Sequence, residues 1–231
     1  MKRNVFLIAL LLTVLQGFAQ SFDLRIAPVF GKEPIEEDKW YVTTKGDSIQ
    51  FDNVRFYLSN IELEKENGTI FKDGQKAHLI DFLEPTTLNI SLQNIDYKDI
   101  KKMRFNIGID STTSVAGALG GDLDPQKGMY WAWQSGYINM KIEGRSPQCP
   151  NRKNVFQFHM GGYMQPFYAM RRVELPIKGI FTEGVILNLD LSRFFEKINI
   201  NTQNSIMIPS KEAMKLADLS VQMFSIDAHE K

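Results

Sequence analysis

The sequence predicts an all-β protein, an antiparallel β-sandwich of about eight or more strands with one short C-terminal helix. Most of the chain beyond the first twenty residues alternates apolar and polar residues with a period of two, which is typical of half-buried strands. Gly, Pro, Asn and Asp separate these segments, as expected for turns between strands. A length of 231 residues is compatible with one large β domain.

The first long alternating segment, SIQFDNVRFYLSNIELEKENG, predicts two strands that are broken near Ser59–Asn60. A turn is expected directly after it, at Asn67–Gly68. Three later segments alternate in the same way, and the apolar faces that they predict are Met103, Phe105, Ile107 and Ile109; Val173, Leu175 and Ile177; and Val185, Leu187 and Leu189.

One helix is predicted near the end of the chain, in PSKEAMKLADLSVQMF. Ser210 is a suitable N-cap, and Met214, Ala217, Val221 and Phe224 form an apolar stripe with helical spacing. No composition shift marks an internal boundary, so residues 20–231 are interpreted as a single domain.

The first 19 residues have the pattern of a secretory signal peptide. Lys2 and Arg3 precede an apolar run, and Gly17 and Ala19 occupy the small-residue positions before a cleavage site after Ala19. The run is too short to span a bilayer, so no transmembrane segment is expected. The sequence therefore predicts a periplasmic or otherwise extracytoplasmic protein.

The charge balance and the cysteine content limit the partners and the disulfide bonds that are expected. Basic and acidic residues balance at 27 each, which gives no indication of binding to nucleic acid or to an anionic membrane. Cys149 is the single cysteine, so no internal disulfide is possible. It lies in GRSPQCPNRKN, which is interpreted as an exposed loop. Its thiol is either simply free, or a soft metal ligand, or a partner in an intermolecular disulfide.

Residues 129–137, MYWAWQSGY, hold two of the three tryptophans of the chain. If this segment is a strand, Met129, Trp131 and Trp133 point to one side. Gly136 would then interrupt the strand as a bulge, and the buried face would continue through Ile138, Met140 and Ile142. Such a cluster is either plain core or a ligand site.

The following strand, NVFQFHMGG, places Phe156, Phe158 and Met160 on one side and Gln157 and His159 on the other. A loop over roughly residues 145–154 would return it antiparallel to the tryptophan strand. His159 would then lie near Trp131 and Trp133, either as a structural residue or as a ligand. Imidazole together with the thioethers of Met129 and Met160 is a donor set that suits copper.

Other candidate sites have weaker patterns. His78, in AHLIDF, is expected to be partly buried, and His229 is near the C-terminus. Asp122 and Asp124, in GGDLDP, either bind calcium or shape a turn before Pro125. The sequence has no HExxH, CxxC, GxSxG or P-loop motif, so it is not interpreted as an enzyme.

Several segments, in order along the chain, resemble the MbnP-like copper-binding family, and together they cover nearly all of the mature chain. The most specific is GDLDPQKGMYWAWQSGYINMKIEG. The matching segments are Arg55–Leu63, His78–Phe82, Phe105–Asp110, Gly121–Gly144, Phe156–Gly162 and Leu216–Phe224. The resemblance implies an exported β-sandwich copper protein of copper homeostasis.

The same resemblance implies a partner, a MauG-type di-haem peroxidase that oxidises one tryptophan to kynurenine. Trp131 matches the converted residue, and His159 matches a family histidine. Trp133 stands where more distant copper proteins of methane oxidisers have a histidine. Intact indole is a poor metal ligand, whereas the ring-opened product offers an aromatic amine and a ketone. His78 is a lower-ranked ligand, and Met129 and Met160 are ligand candidates from the strand pattern alone.

A second hypothesis comes from another functional class. The aromatic face would stack on a sugar or a peptide, and the protein would be a carbohydrate- or peptide-binding β-sandwich module. Stacking needs accessible rings, so both Trp131 and Trp133 would have to be exposed.

Overall fold

The computed structural model describes residues 21–96, 98–133, 136–178 and 184–228. The expected signal peptide, residues 1–19, and His229 lie outside these ranges. Within them, no helix is both long enough and apolar enough to cross a membrane.

Fifteen strands are present in the described residues. Along the chain they are β1 (Ser21–Phe30), β2 (Glu33–Pro34), β3 (Trp40–Val42), β4 (Ser48–Lys65), β5 (Ile70–Lys72), β6 (Ala77–Asp81), β7 (Asn89–Gln93), β8 (Ile100–Ile107), β9 (Tyr130–Trp131), β10 (Gly136–Arg145), β11 (Val155–Gly161), β12 (Arg171–Pro176), β13 (Gly184–Asp190), β14 (Ser205–Ile206) and β15 (Phe224–Ala228). The α-helices are α1 (Ser111–Val115), α2 (Leu191–Phe195) and α3 (Lys211–Val221). Short 3₁₀ turns span Pro85–Leu88, Gly121–Leu123, Pro125–Lys127 and Arg152–Asn154.

The strands form two sheets, which confirms the predicted all-β sandwich. The smaller sheet has the order β15-β13-β1-β2, with β7 also paired to β1, and the larger has the path β12-β8-β4-β10-β11-β14. The sheets are mixed, not purely antiparallel as predicted, because β1 pairs parallel to β13 and β11 pairs parallel to β14. Parallel pairing requires a long connection between the strands, and the many intervening elements supply it.

The main core lies between the inner faces of the two sheets. Phenylalanine rings dominate one part of it, where Phe51, Phe156 and Phe195 are in mutual contact with ring centroids 5.5 to 6.5 Å apart. The predicted apolar faces of β8, β12 and β13 all pack into this core, except for Ile109. Ile109 follows Gly108, whose φ of +105° turns the chain out of β8.

Strand β4 differs from its prediction, because it runs unbroken through Ser59 and Asn60. The pairing register with β8 shifts between Ser59 and Glu62, and Asn60 has a φ of +48°, so a bulge replaces the expected break. The turn after the strand is confirmed, since the Gly68 amide donates to the Lys65 carbonyl at 3.0 Å.

A second apolar cluster lies on the outer face of the larger sheet. Residues 108–133 leave the sheet after β8 and fold back over that face, carrying α1, two 3₁₀ turns and β9. Tyr57 of β4 and Tyr137 of β10 meet there edge to face, with centroids 5.8 Å apart. The Tyr137 hydroxyl donates to the Leu123 carbonyl at 3.0 Å. This excursion delivers the tryptophan segment to the outer face.

Helix α3 confirms the predicted N-cap, since the Ser210 hydroxyl accepts a 3.0 Å hydrogen bond from the Ala213 amide. The predicted stripe is only partly right. The buried face consists of Ala213, Leu216, Ala217 and Ser220, and Phe224 begins β15 instead of continuing the helix. The helix ends at Val221, so the last position of the stripe falls in a strand.

The expectation that Cys149 is exposed is wrong, because its residue surface is only 1% exposed. Its thiol donates to the Val155 carbonyl at 3.2 Å, and the Asn154 amide group donates to the Cys149 carbonyl at 2.9 Å. These contacts fold the polar loop back onto the core. A disulfide to another chain would require the loop to open.

Candidate functional site

The two tryptophans lie in a hairpin, not in one continuous strand. Trp131 ends the two-residue strand β9 and pairs with Gly136 of β10, while Trp133 lies in the connecting turn. Consequently Trp131 is 7% exposed and Trp133 is 66% exposed. Their rings still touch, with centroids 5.8 Å apart and planes inclined by 47°. The prediction that both project from one strand face is therefore wrong, although the rings are neighbours.

The irregularity in β10 also lies away from its predicted position. The pairing between β10 and β11 shifts between Ile138 and Met140, not at Gly136. As a result Ile138 packs in the outer cluster, whereas Met140 packs in the main core. A bulge inserts one extra residue, so two residues that are two positions apart no longer share a face, which accounts for the change.

The indole of Trp131 lies directly on the backbone of β11. A Cβ atom added to Gly161 would stand 2.6 Å from Cζ3 and 2.8 Å from Cη2 of Trp131, so only glycine leaves room for the ring. His159 precedes Gly161 by two residues on the same strand, and side chains at that spacing share a face about 7 Å apart. Trp131 and His159 are thus neighbours on the outer face of the larger sheet.

His159 is held by a carboxylate. Its Nε2 lies 2.7 Å from Oε1 of Glu143 on β10, and the same oxygen accepts a 3.2 Å hydrogen bond from Gln157. The histidine is only 6% exposed. In the neutral tautomer that donates from Nε2 to the carboxylate, Nδ1 carries the lone pair that can meet another partner. The arrangement is that of an imidazole oriented by a carboxylate.

Glu143 retains its charge in this setting. The hydrogen bond from His159 holds the pKa of Glu143 below its ordinary value, against the opposing effect of burial. Lys141 lies directly opposite His159 in the strand register, and burial lowers the pKa of its ammonium group. Its Nζ donates to the Gly128 carbonyl at 2.7 Å, and this bond fixes the segment just before the tryptophan hairpin.

A buried polar atom near this pair lacks a hydrogen bond within the described structure. Oδ1 of Asn53 is buried and has no such partner. Asn53 stands opposite Glu143 in the register between β4 and β10. An unpaired buried acceptor is costly, and it is compatible with a group that the protein binds at this face.

The two methionines proposed as ligands lie on different faces. Met129 is fully buried in the outer cluster that also contains Trp131. Met160 packs in the main core, as its neighbour Phe158 does, on the opposite face from His159. The alternation predicted for β11 is therefore confirmed, and for the same reason the structure does not bring Met160 and His159 together.

His78 is also separated from the tryptophan pair. Its Nε2 lies 2.6 Å from Oδ2 of Asp73. On β6 it stands two residues before Ile80 and shares a face with it, and Ile80 packs in the main core. His78 and His159 therefore lie on opposite faces of the larger sheet.

The carboxylates of Asp122 and Asp124 are engaged by the protein itself. Asp122 accepts from the Lys127 ammonium at 2.7 Å and from the Leu79 amide at 3.1 Å. Asp124 accepts from the Gln126 amide at 2.8 Å and caps the 3₁₀ turn that begins at Pro125. These bonds favour the interpretation of the pair as a turn.

The donors present fit a metal ion only in part. Within residues 21–96, 98–133, 136–178 and 184–228, no three His, Cys, Asp or Glu side chains are grouped so as to hold a metal. His159 offers one imidazole nitrogen, and Trp131 beside it has no lone pair on its N–H nitrogen. Met129, in the same cluster as Trp131, offers a thioether, and chemical change of the indole would add further donors.

Sequence reasoning missed Glu143, Lys141 and Gly161. Glu143 and Lys141 alternate with Ile142 in MKIEG, which is a signal that they share the outer face. Which of them meets His159 depends on the register between β10 and β11, and the sequence does not specify that register.

Acid should destabilise this part of the fold through Glu143. Since the pKa of Glu143 is depressed in the folded state, its ionised form contributes stability that is fully present above the pKa of an unfolded-chain glutamate. That contribution is lost as the pH falls through this value and then through the lower folded pKa. We expect the melting temperature, followed by circular dichroism from about pH 7 to about pH 3, to fall less steeply in Glu143→Gln than in the wild type. Equal slopes would contradict this expectation.

Comparison with known proteins identifies relatives of the chain. The model of the MbnP family matches residues 19–208. Among solved structures, MbnP from Methylosinus trichosporium is similar, with a TM-score of 0.64 and 15% sequence identity, over 92% of this chain and 99% of that one. None of the curated proteins matches. At this identity the structural likeness concerns the fold alone.

Proposed function

This chain belongs to the MbnP family, and from that premise we propose that it is an exported copper-binding protein of copper homeostasis and not an enzyme. The family is associated with copper handling. The proposed site combines His159 with residue 131, after a partner di-haem peroxidase of the MauG type has oxidised Trp131 to kynurenine. Trp133 and Met129 border this site.

One observation carries the proposal: the ring of Trp131 lies on Gly161, two residues along β11 from His159 and on the same face. An indole placed for packing alone has no need of an oriented imidazole beside it. Here the imidazole is buried, and Glu143 fixes its ring.

The chemistry of the two side chains suits copper. Ring-opening of the Trp131 indole would create an aromatic amine and a ketone where the intact ring has no metal donor. Nδ1 of His159 would add an imidazole nitrogen, a ligand type that copper accepts readily. Glu143 would orient that imidazole and raise its basicity, as carboxylates do behind many metal-bound histidines.

The modification is tested on protein isolated from its native host, where a partner enzyme is present. Mass spectrometry should show a gain of about 4 Da on the peptide that contains Trp131, and copper titration should show tighter binding to the modified form. Unmodified Trp131 in such protein, with copper bound elsewhere, would overturn the proposal.

Glu143→Gln should weaken copper binding by about 10- to 100-fold, because the amide holds His159 in place less firmly than the carboxylate does. Glu174→Gln is the matched control, since Glu174 lies on β12 and pairs there with Lys102 and Arg104. Affinity is measured by competition with a chelator of known strength. Equal affinities of the two variants would remove Glu143 from the site.

The exposure of Trp133 favours a second candidate, a module that binds sugars or peptides by stacking. The burial of Trp131 counts against a platform made of two rings. Titration with oligosaccharides, followed by tryptophan fluorescence in the wild type and in Trp133→Ala, separates the two functions. A saturable response that only the wild type gives would favour the stacking module.

A further inference from the structure

The exposed Trp133 has no assigned role in the copper site. The chain has three tryptophans, of which Trp131 is 7%, Trp40 48% and Trp133 66% exposed. A large apolar ring at the tip of a hairpin costs hydration free energy and makes little packing contact with the core. Its one ring contact among the described aromatic side chains is with Trp131.

Burial of Trp131 creates a problem for its oxidation. Haem enzymes in general hold the haem inside the protein, and Trp131 is covered as well. Electron transfer between two buried groups becomes steeply slower as the distance between them grows. A redox-active group at the surface, in contact with the buried indole, shortens each step of the transfer.

Trp133 has the position that such a group requires. Its ring contacts the ring of Trp131, with centroids 5.8 Å apart, and most of its surface faces solvent. Both groups are indoles, so their intrinsic potentials are alike. The cost of the transfer is set by the burial of Trp131, which disfavours the charged radical. Exposed Met164 lies in a loop that packs on the same hairpin, since the ring of Tyr163 is 2.8 Å from the place of a Gly136 Cβ.

We infer that Trp133 is the electron-transfer residue through which an external one-electron oxidant, such as a high-valent haem, oxidises Trp131. The inference rests on the proposed function, in which Trp131 is the residue that is oxidised. In the first step the indole of Trp133 gives one electron to the oxidant and becomes a radical cation. In the second step Trp131 gives one electron to Trp133, which returns to its neutral form. The oxidant has then gained one electron and Trp131 has lost one, and no bond has yet been made or broken.

The test uses a soluble oxidant in place of the partner enzyme. Ruthenium(III) tris-bipyridine, generated by light in the presence of persulfate, is a bulky one-electron oxidant that does not enter the protein. Oxidised products at each tryptophan are quantified by peptide mapping in the wild type, Trp133→Phe, Trp133→Tyr and the control Trp40→Phe.

Phenylalanine and tyrosine fill nearly the same space at position 133, but of the two only tyrosine is readily oxidised. We expect oxidation of Trp131 to fall by about tenfold or more in Trp133→Phe, to recover in Trp133→Tyr and to be unchanged in Trp40→Phe. Undiminished oxidation of Trp131 in Trp133→Phe would overturn the inference. Equal losses in the Phe and Tyr variants would also overturn it, because the effect would then be structural.

This experiment requires neither copper nor the partner enzyme, so its result is independent of the copper proposal. If Trp131 in native protein is unmodified while the ruthenium assay shows dependence on Trp133, the proposed function fails and the electron path stands. Trp131 in native protein could instead be converted while the ruthenium assay oxidises Trp131 as fast in Trp133→Phe as in the wild type. The electron path then fails and the copper site stands.

Discussion

Replacing His159 with alanine is expected to lower copper affinity by about 100-fold or more, because the only imidazole beside Trp131 in the described structure is removed. The variant also leaves the carboxylate of Glu143 without its main partner. We therefore expect a loss of stability of about 1 to 3 kcal/mol, which urea unfolding would measure. Copper affinity is measured with modified protein and a competing chelator.

Two further variants separate ligand loss from structural damage. His159→Gln keeps a hydrogen-bond donor for Glu143 and should restore stability without restoring affinity. His78→Ala removes a histidine that is paired with Asp73 on the opposite face of the sheet, and it should bind copper as the wild type does. Unchanged affinity in His159→Ala, or a large loss in His78→Ala, would contradict the assignment.

Gly161→Ala is expected to displace Trp131 without touching any donor atom. The added methyl group would stand 2.6 Å from the indole and 2.9 Å from the Tyr137 carbonyl, so the ring must move off β11. Overpacking of this kind costs about 1 to 3 kcal/mol. We expect the exposure of Trp131 to a fluorescence quencher to rise and copper affinity to fall, while the far-ultraviolet circular dichroism stays that of a β protein.

Gly74→Ala is the matched control for this substitution. A Cβ at Gly74 meets no atom within 4 Å, and its φ lies outside the left-handed region, so the change should cost less than about 0.5 kcal/mol. If Gly161→Ala behaved like Gly74→Ala in stability, quenching and copper binding, the contact between Trp131 and β11 would not matter to the site.

Local patterns in the sequence are sufficient to predict several features of the fold. The alternation along β11 correctly predicts that Phe156 and Phe158 lie on the opposite face from His159, because a strand of seven residues has a well-defined period of two. The hydroxyl of Ser210 caps α3 as expected, since a cap depends only on neighbours in the chain. The antiparallel return of β11 on β10 followed from one polar loop between them.

Other features depend on contacts that are distant in sequence. The spacing of Trp133 from Trp131 predicts a strand, yet β9 has only two residues and the chain turns after it. Pairing of Glu143 with His159 is set by register, and a bulge between Ile138 and Met140 changes that register locally. Cys149 is buried because its polar loop folds onto the core through hydrogen bonds that composition does not show.

In the copper site that we propose, residue 131 and His159 hold the ion together on the outer face of the larger sheet. The most direct measurement is the anomalous X-ray signal of copper in crystals of protein isolated from its native host. We predict one strong peak between the side chain of residue 131 and Nδ1 of His159. A peak beside His78 or the exposed methionines, with none at His159, would contradict it.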